Sequence, residues 1–246
     1  MWDLFVSLFI NVLLWIYDLV GHNFGVAIIL FTILIRIVTW PLNAQQMKGA
    51  KAMQDLQNDK EWQAIQKKYA KDREKLAQEQ MRLYRERGIN PFGSCLPTLI
   101  QFPIIIALYQ SIIRALASTP LDLLKLSRSI IFPFLDVSSL IPLNSKFLWM
   151  NLGQPEPYYI LAIIVAVTTW LQTKLTLPPS TNPNDQTAAM GQSMAITMPI
   201  MLGWFALTFP SGLAVYFITS NVLGIIQYAM QGKANWQNLL PKSLRK

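Results

Sequence analysis

One arginine, Arg36, lies inside a stretch, residues 24–42, whose other side chains are almost all apolar. None of the later apolar stretches carries an Asp or Glu that could neutralise this charge. A charge within a membrane span costs about 2.5–3.5 kcal/mol on insertion scales, so it usually faces protein or water and marks a functional site. A guanidinium without an internal counter-ion can bind water or an acidic group on a visiting molecule, so anion binding is the first chemistry to consider.

Polar residues recur with helical spacing in this stretch and in three others. Thr32, Arg36, Thr39 and Asn43 stand at i, i+4, i+7 and i+11, which places them on one helical face. The other polar ridges are formed by Ser94, Thr98 and Gln101, by Thr168 or Thr169 with Gln172 and Thr176, and by Tyr216, Ser220 and Gln227. A purely structural role for any one ridge is hydrogen bonding between neighbouring helices, at about 0.6 kcal/mol per bond.

Taken together, the ridges favour a different role, because most of them are biased toward the half of the membrane that holds Arg36. At about 1.5 Å per residue, Arg36 lies roughly 18 Å from Phe24 and roughly 9 Å from Leu42. The ridges therefore predict a hydrated, positively charged cavity that opens to the cytoplasm. The alternative is that Arg36 extends to the cytoplasmic headgroups and lines no cavity.

The composition is that of a polytopic membrane protein. Hydrophobic residues make up 52% of the chain and charged residues 14%, against about 25% charged residues in soluble domains. About 20 apolar residues cross the hydrocarbon core as a helix. The chain is therefore predicted to be all-α, with five spans near residues 24–42, 96–117, 158–177, 193–209 and 211–230.

Lys and Arg are concentrated in residues 43–91 and absent from residues 1–23. Because short cytoplasmic loops hold the excess of positive charge, the N-terminus is predicted outside and the basic tail, residues 232–246, in the cytoplasm. This topology accounts for most of the net charge of +8, so no specific nucleic acid partner is predicted.

Residues 1–20 form a separate apolar segment before the first predicted span. Its polar residues Asp3, Ser7, Asn11 and Asp18 fall on one narrow helical stripe. We predict an amphipathic helix that lies on the outer leaflet, and the alternative is a sixth span.

Residues 44–87 are mostly strong helix formers and are charged. They predict a cytoplasmic hairpin of two antiparallel helices, 44–68 and 73–87. Asp72 is the expected N-cap of the second helix, and Gly88 is expected to end it. Few apolar positions are visible in this segment, so much of it should be solvated.

The chain shows no P-loop, no Ser/His/Asp set, no zinc-binding pattern and no acidic residue in any of the five predicted spans. It has one Cys and one His, which excludes an internal disulfide and any multi-Cys metal site. The sequence therefore predicts no enzyme, no catalytic residues, no metal and no cofactor.

Three groups of residues carry a family resemblance. They are residues 90–103 (NPFGSCLPTLIQFP), residues 198–221 (MPIMLGWFALTFPSGLAVYFITSN), and Arg36 ahead of Trp40-Pro41-Leu42. In these motifs, and in unbroken order over about residues 20–230, the chain closely resembles the YidC family of membrane protein insertases. It differs from longer relatives in having no large periplasmic domain between its first two hydrophobic segments.

The resemblance implies a five-helix insertase core, residues 21–246, around a hydrophilic groove that opens to the cytoplasm. Arg36 would briefly hold the polar, often acidic, tail of an incoming membrane protein. Candidate substrate-binding residues in the groove are Gln101, Gln172, Ser220 and Gln227. The implied function is insertion and assisted folding of new membrane proteins in the bacterial plasma (inner) membrane without nucleotide hydrolysis.

The partners implied are nascent membrane proteins, membrane lipids and, in a weak and transient contact, the ribosome; a role for the Sec translocon is left open. The main rival is a channel or small-solute transporter in which Arg36 is an anion site. A purely structural scaffold is the third class, and it would tolerate the loss of every polar ridge.

Overall fold

The computed structural model describes residues 1–57, 59–69, 72–89, 96–116, 126, 129–132, 140, 143–177, 186–232 and 234–239. The main helices are α1 (Trp2–Leu19), α2 (Phe24–Val38), α3 (Trp40–Gln57), α4 (Lys60–Lys68), α5 (Arg73–Glu86), α6 (Leu96–Ala115), α7 (Ile160–Thr176), α8 (Gln186–Thr208) and α9 (Ser211–Met230). Two short strands, β1 (Lys146–Phe147) and β2 (Met150–Asn151), pair antiparallel, and a 3₁₀ helix covers Trp236–Leu239. The predicted all-α class is thus confirmed as mostly helical.

Helix α9 is the central element of the bundle. It packs along α7 and α2 and more lightly against α6, whereas α8 packs mainly on α7. Helix α1 packs on α6 and α2. One hydrophobic core draws buried side chains from α1, α2, α6, α7 and α9, so the polar residues of these helices are held in fixed relation to one another.

One end of the bundle is defined by the start of α2, the end of α6 and the start of α9. A Cβ added to Gly212, at the start of α9, would stand 3.1 Å from Ile28 and 3.3 Å from Ile112. These two residues lie about one turn from the start of α2 and the end of α6, so the three helix ends are level. We name this end the predicted outer end, after the topology that the sequence predicts.

Helix α1 touches the predicted outer end with both of its own ends. Asp3 pairs with Arg114 in the last turn of α6 at 3.2 Å, and the C-terminus of α1 leads directly into α2. Its exposed apolar side chains include Leu4, Leu8 and Trp15. The placement of α1 on the outer leaflet stays a prediction, but its polar stripe is not uniformly solvated.

The middle of that stripe is buried, which the sequence did not indicate. Asn11 is fully buried, and its Nδ2 donates to the carbonyls of Ser7 and Ser129 at 2.7 and 2.9 Å. Its Oδ1 accepts from the backbone N–H groups of Ile131 and Phe132 at 2.9 and 3.0 Å. Asn11 therefore fastens the segment after α6 to α1.

The first predicted span, 24–42, is not one straight helix. Helix α2 ends at Val38, and α3 begins at Trp40 after a bend of 58°. Pro41 explains the break, because it has no N–H and its ring clashes with the carbonyl four residues earlier. The Thr39 hydroxyl also bonds the Ile35 carbonyl at 2.8 Å, which occupies a backbone acceptor near the bend.

Length and hydropathy identify two helices among the described residues that could cross a membrane, α1 and α9. The bent α2–α3 pair is a third candidate, and α7 and the Ser193–Thr208 part of α8 are apolar but shorter. All five predicted segments contain helix, with α8 beginning earlier than expected, yet five crossings remain a prediction.

The segment that the sequence predicts to be cytoplasmic contains the three helices α3, α4 and α5 instead of the two predicted. The predicted 44–68 helix is divided, because Asp59 caps α4 by accepting from the Glu61 N–H at 3.0 Å. Asp72 is confirmed as the N-cap of α5, accepting from Lys75 N at 3.1 Å, and Gly88 follows α5 with φ +64°. The segment has a small core of its own, formed by Leu56, Trp62, Ile65, Leu83 and Tyr84. Most of its other described residues are exposed or half-buried, so much of the segment is solvated around this core.

The predicted outer end is covered by the segment that holds β1 and β2. The Phe147 ring packs directly on Gly25, where no Cβ could fit. The carbonyls of Leu152 and Gln154 accept from the backbone N–H groups of Gly212 and Ser211 at 3.0 and 2.8 Å. These bonds satisfy the first N–H groups of α9, which have no partner within the helix.

Candidate functional site

Arg36 is half-buried and hydrogen-bonded to Ser220 of α9. Its Nε donates to Ser220 Oγ at 3.2 Å, and its Nη2 donates to the same Oγ at 2.8 Å and to the Ser220 carbonyl at 2.5 Å. The two residues are 184 positions apart in the chain. Because both acceptors are neutral, these bonds orient the guanidinium without neutralising its charge.

No carboxylate lies within 4 Å of Arg36 in the part of the chain that the structure describes. The ion pairs there lie elsewhere, at the predicted outer end and in residues 59–87. Among the same residues, Nη1 of Arg36 has no hydrogen-bond acceptor. A guanidinium carries five N–H donors. Arg36 can therefore still bind an anion or another acceptor while it holds Ser220.

Gln172 of α7 reaches the same place because α9 has a glycine there. A Cβ at Gly224 would stand 2.5 Å from Gln172 Nε2 and 3.3 Å from Arg36 Nη2. Small residues let membrane helices approach closely. Side chains from α2, α7 and α9 thus converge within one turn of α9, and we name Arg36, Gln172, Ser220 and Gly224 the arginine cluster.

Gln101 of α6 lies one turn farther toward the predicted outer end. Its Nε2 donates to the hydroxyl of Tyr216, which stands four residues before Ser220 on α9 and is fully buried. Gln101 therefore contacts Tyr216, one turn of α9 away from the arginine cluster. Its side-chain N–H group donates to another residue of the protein.

Gln227 lies on the other side of the cluster, seven residues after Ser220 and on the same face of α9. Its side chain is 3% exposed, and its Nε2 has no hydrogen-bond acceptor among the described residues. An unsatisfied buried donor costs about 1–3 kcal/mol. Gln227 is thus a second group beside the cluster that would gain from an acceptor.

Three threonines of the predicted ridges do not join the arginine cluster. The hydroxyls of Thr32, Thr39 and Thr176 donate to carbonyls of their own helices at 2.6, 2.8 and 3.1 Å. Ser94 lies outside the described residues, and the side chain of Thr98 does so as well. Sharing a helical face with a site residue therefore does not by itself place a threonine in the arginine cluster.

Two residues that hold the site together were missed as site residues. Asn221 donates from Nδ2 to Thr168 and Thr169 at 3.1 and 2.9 Å, which joins α9 to α7. Gly224 leaves room for Gln172 and Arg36, since a Cβ there would stand 2.5 Å from Gln172 Nε2 and 3.3 Å from Arg36 Nη2. The available signal for Gly224 was a glycine inside an apolar helix, which often marks close packing.

Comparisons with known proteins place the chain in a family. A sequence profile of the family described as 60Kd inner membrane protein matches residues 15–237. Membrane protein insertase YidC 2 of Listeria innocua is 40% identical over 220 residues, which are 88% of this chain and 66% of the relative. Membrane protein insertase MisCA of Bacillus subtilis is 36% identical over 231 residues, covering 92% of this chain and 77% of the relative.

A solved structure described as an active YidC insertase with its first transmembrane domain resolved is similar in fold. It has a TM-score of 0.56 and 30% identity, and the match covers 88% of this chain and 43% of that chain. The chain thus spans slightly less than two thirds of its Listeria relatives and less than half of the solved protein. The profile and the relatives agree: this chain belongs to the 60Kd inner membrane protein family, the family of the YidC membrane protein insertases.

Proposed function

We propose that this chain inserts newly made membrane proteins into the bacterial inner membrane and assists their folding. The names of the relatives support this function. The observation that carries the mechanism is the arginine cluster, in which a half-buried guanidinium bonds, among the described residues, only neutral acceptors of Ser220. An acidic group on a substrate can pair with Arg36 without first displacing a carboxylate of the protein.

Arg36 attracts the polar tail of a substrate into a hydrated groove in the cytoplasmic half of the membrane. The tail then has less hydrophobic thickness to cross, so its transfer costs less free energy. The substrate supplies the driving force, since each buried methylene contributes about 0.8 kcal/mol. A membrane potential of 100 mV adds about 2.3 kcal/mol for each acidic charge moved outward. No nucleotide hydrolysis is required.

Binding at Arg36 must be weak, because a tight ion pair would trap the tail. Ser220 supports such exchange, since its hydroxyl and carbonyl can take back the N–H donors when the tail leaves. Gln172 borders the guanidinium at Gly224, and the Gln227 amide offers an additional donor nearer the cytoplasm. Gln101 does not offer its amide donor to the substrate, because this amide donates to Tyr216. The Gln101–Tyr216 pair closes the groove toward the predicted outer end.

The topology completes the proposal. The N-terminus lies outside, α1 rests on the outer leaflet among lipids, and the helices α3 to α5 receive nascent chains on the cytoplasmic side. The ribosome makes a weak, transient contact there. Both ends of α1 touch the predicted outer end, and this supports its placement across that end instead of through the membrane.

Cross-linking tests the proposal directly. A photoreactive group at Gln172 should react with the acidic tail of a stalled nascent membrane protein. A matched probe at Val167, an exposed residue of the same helix on a different face, should react much less with the tail. Equal tail cross-linking at both positions would remove the arginine cluster from the pathway.

The rival function, a channel or small-solute transporter, has a separate readout. Purified protein in liposomes should show substrate insertion and no anion flux if Arg36 serves a nascent chain. Anion flux that depends on Arg36, together with no insertion above protein-free liposomes, would favour the rival.

Replacing Gly224 by Ala should lower insertion without unfolding the protein. The new Cβ would displace the flexible end of Gln172 and crowd Arg36. We expect insertion to fall about fivefold, the effect of an interaction of about 1 kcal/mol. Thermal stability should stay equal or rise, because Ala is about 1 kcal/mol better than Gly within a helix.

Val222→Ala, on the exposed face of α9, is the matched control and should insert substrates at the wild-type rate. Both proteins are compared in a reconstituted insertion assay and a melting curve. If Gly224→Ala inserted substrates at the wild-type rate, the close contact among Gly224, Gln172 and Arg36 would not be needed for insertion.

A further inference from the structure

The predicted outer end carries a group of large exposed apolar side chains that no role described above uses. They are Leu148 and Trp149 in the turn between β1 and β2, and Tyr158, Tyr159 and Ile160 at the start of α7; each is between 42% and 73% exposed. We name this group the outer aromatic patch. Such an exposed cluster calls for a partner, because isolated exposed apolar residues are common but contiguous ones are not.

The two parts of the patch are fastened to each other. Trp149 Nε1 donates to Glu156 Oε1 at 2.6 Å, and the other oxygen of this carboxylate accepts from the backbone N–H of Leu161 at 2.6 Å. Glu156 itself is buried. The turn between β1 and β2 is therefore held against the first turn of α7. The two parts of the patch thus form one ordered surface.

The backbone of the patch is strained where its exposed side chains stand. Leu148 has φ +53° and Tyr159 has φ +61°, a region that favours Gly, Asn or Asp. In a solvated turn, Gly, Asn or Asp at position 148 would adopt this conformation with less strain than Leu. Large apolar side chains at left-handed positions indicate that the side chain itself is needed, and strain of this kind clusters at functional surfaces.

The position of the patch identifies its partner. It continues into an exposed stripe of α7 formed by Ile163, Val167 and Trp170, which recurs with helical spacing along an apolar helix of a membrane protein. The patch stands where this stripe reaches the predicted outer end. Trp and Tyr prefer the membrane–water interface, where the ring is apolar on one side and wet on the other. The exposed Lys146 on β1 adds a cation beside the turn that suits lipid phosphates.

We propose that the outer aromatic patch is inserted into the interfacial layer of the outer leaflet and fixes the depth of the helix bundle in the membrane. Helices α2, α7 and α9 all begin beneath the segment that carries it. Phe147 packs on Gly25 of α2, and the carbonyl of Gln154 accepts from Ser211 at the start of α9. A substrate that pulls on these helices therefore also pulls the patch against the interface. The proposal depends on the chain being a membrane protein and not on the insertase function.

Spin labels at the patch test this placement in the full chain. The lone Cys95 is replaced by Ser, and one new cysteine is introduced at a time, as Leu148→Cys or Tyr158→Cys. The control is Gln154→Cys, an exposed polar residue of the same segment. Each protein is reconstituted into liposomes with anionic lipids, and label collision with oxygen is compared with collision with a water-soluble nickel chelate.

Labels at positions 148 and 158 should collide severalfold more with oxygen than with the nickel chelate, and the label at 154 should show the reverse order. Nickel access at 148 and 158 equal to that at 154 would place the patch in water and overturn the proposal. Labels shielded from both reagents would also overturn it, because a protein would then cover the patch. Two patch positions keep the test decisive if one substitution prevents folding.

Discussion

Replacement of Arg36 by Ala is expected to slow the insertion of single-span substrates with acidic tails about tenfold to hundredfold. Two charges about 4 Å apart interact by about 4 kcal/mol at an effective dielectric constant of 20, and hydration of the groove lowers this value. A remaining attraction of about 1.4–2.8 kcal/mol corresponds to the expected range of rates. The rates are measured with purified protein in liposomes and substrates that differ only in their tails.

The comparison among tails and variants separates charge from structure. The insertion rate of substrates with neutral tails should fall much less in Arg36→Ala, because a neutral tail gains little from a positive charge. Arg36→Lys should keep much of the activity, since the cation remains although its planar donors are lost. Equal insertion of the acidic-tail substrate by wild type, Arg36→Ala and Arg36→Lys would reject a charge role.

Loss of folding would not explain the expected defect of Arg36→Ala. The variant loses its hydrogen bonds to Ser220, but it also removes a charge that has no carboxylate partner among the residues that the structure describes. The two effects oppose each other, so the melting temperature should change little. A melting curve of each variant in the same lipid controls for this point.

Replacement of Asn11 by Leu is expected to lower the free energy of unfolding by about 3–5 kcal/mol. Leu has a similar volume, but it leaves the N–H groups of Ile131 and Phe132 without the acceptor they have at 2.9 and 3.0 Å. The Ser129 carbonyl also loses its donor at 2.9 Å. An unsatisfied group costs about 1–3 kcal/mol where it is shielded from water, and the cost is smallest at Ile131, which is 50% exposed. The change is measured by thermal unfolding in liposomes or nanodiscs.

Leu8→Ala on the exposed side of α1 is the control for the Asn11 variant and should change the melting temperature far less. If Asn11 faced headgroups, as its place on the polar stripe would suggest, Asn11→Leu would be neutral or would strengthen membrane binding. A melting temperature equal to that of wild type would therefore contradict the buried placement of Asn11.

The helices and the candidate arginine could be read from the sequence because both depend on local properties. The predicted span 158–177 contains the helix Ile160–Thr176. The agreement is close because apolar length and helix propensity depend on neighbouring residues alone. Arg36 stood out because a charge in an apolar run is costly wherever the run packs. The caps at Asp72 and Gly88 were equally local, because each depends on one residue and the helix end beside it.

Periodicity could show which residues share a helical face but not what covers that face. Thr32 and Arg36 share one, yet Thr32 bonds its own backbone and Arg36 bonds another helix. The polar stripe of α1 shows the same limit, because its central Asn11 is covered by the segment at residues 129–132. The patterns carried no information about these neighbours, which come from distant parts of the chain.

By itself the sequence determined a helical membrane protein with an uncompensated charge in its first apolar stretch and a recognisable set of family motifs. Only the tertiary structure decided that Ser220 orients Arg36, that Gly224 admits Gln172, and that the Gln227 amide is left without an acceptor among the described residues. The reason is physical: composition and spacing are set within one helix, whereas a binding site is set by which helices pack together and how closely their backbones approach.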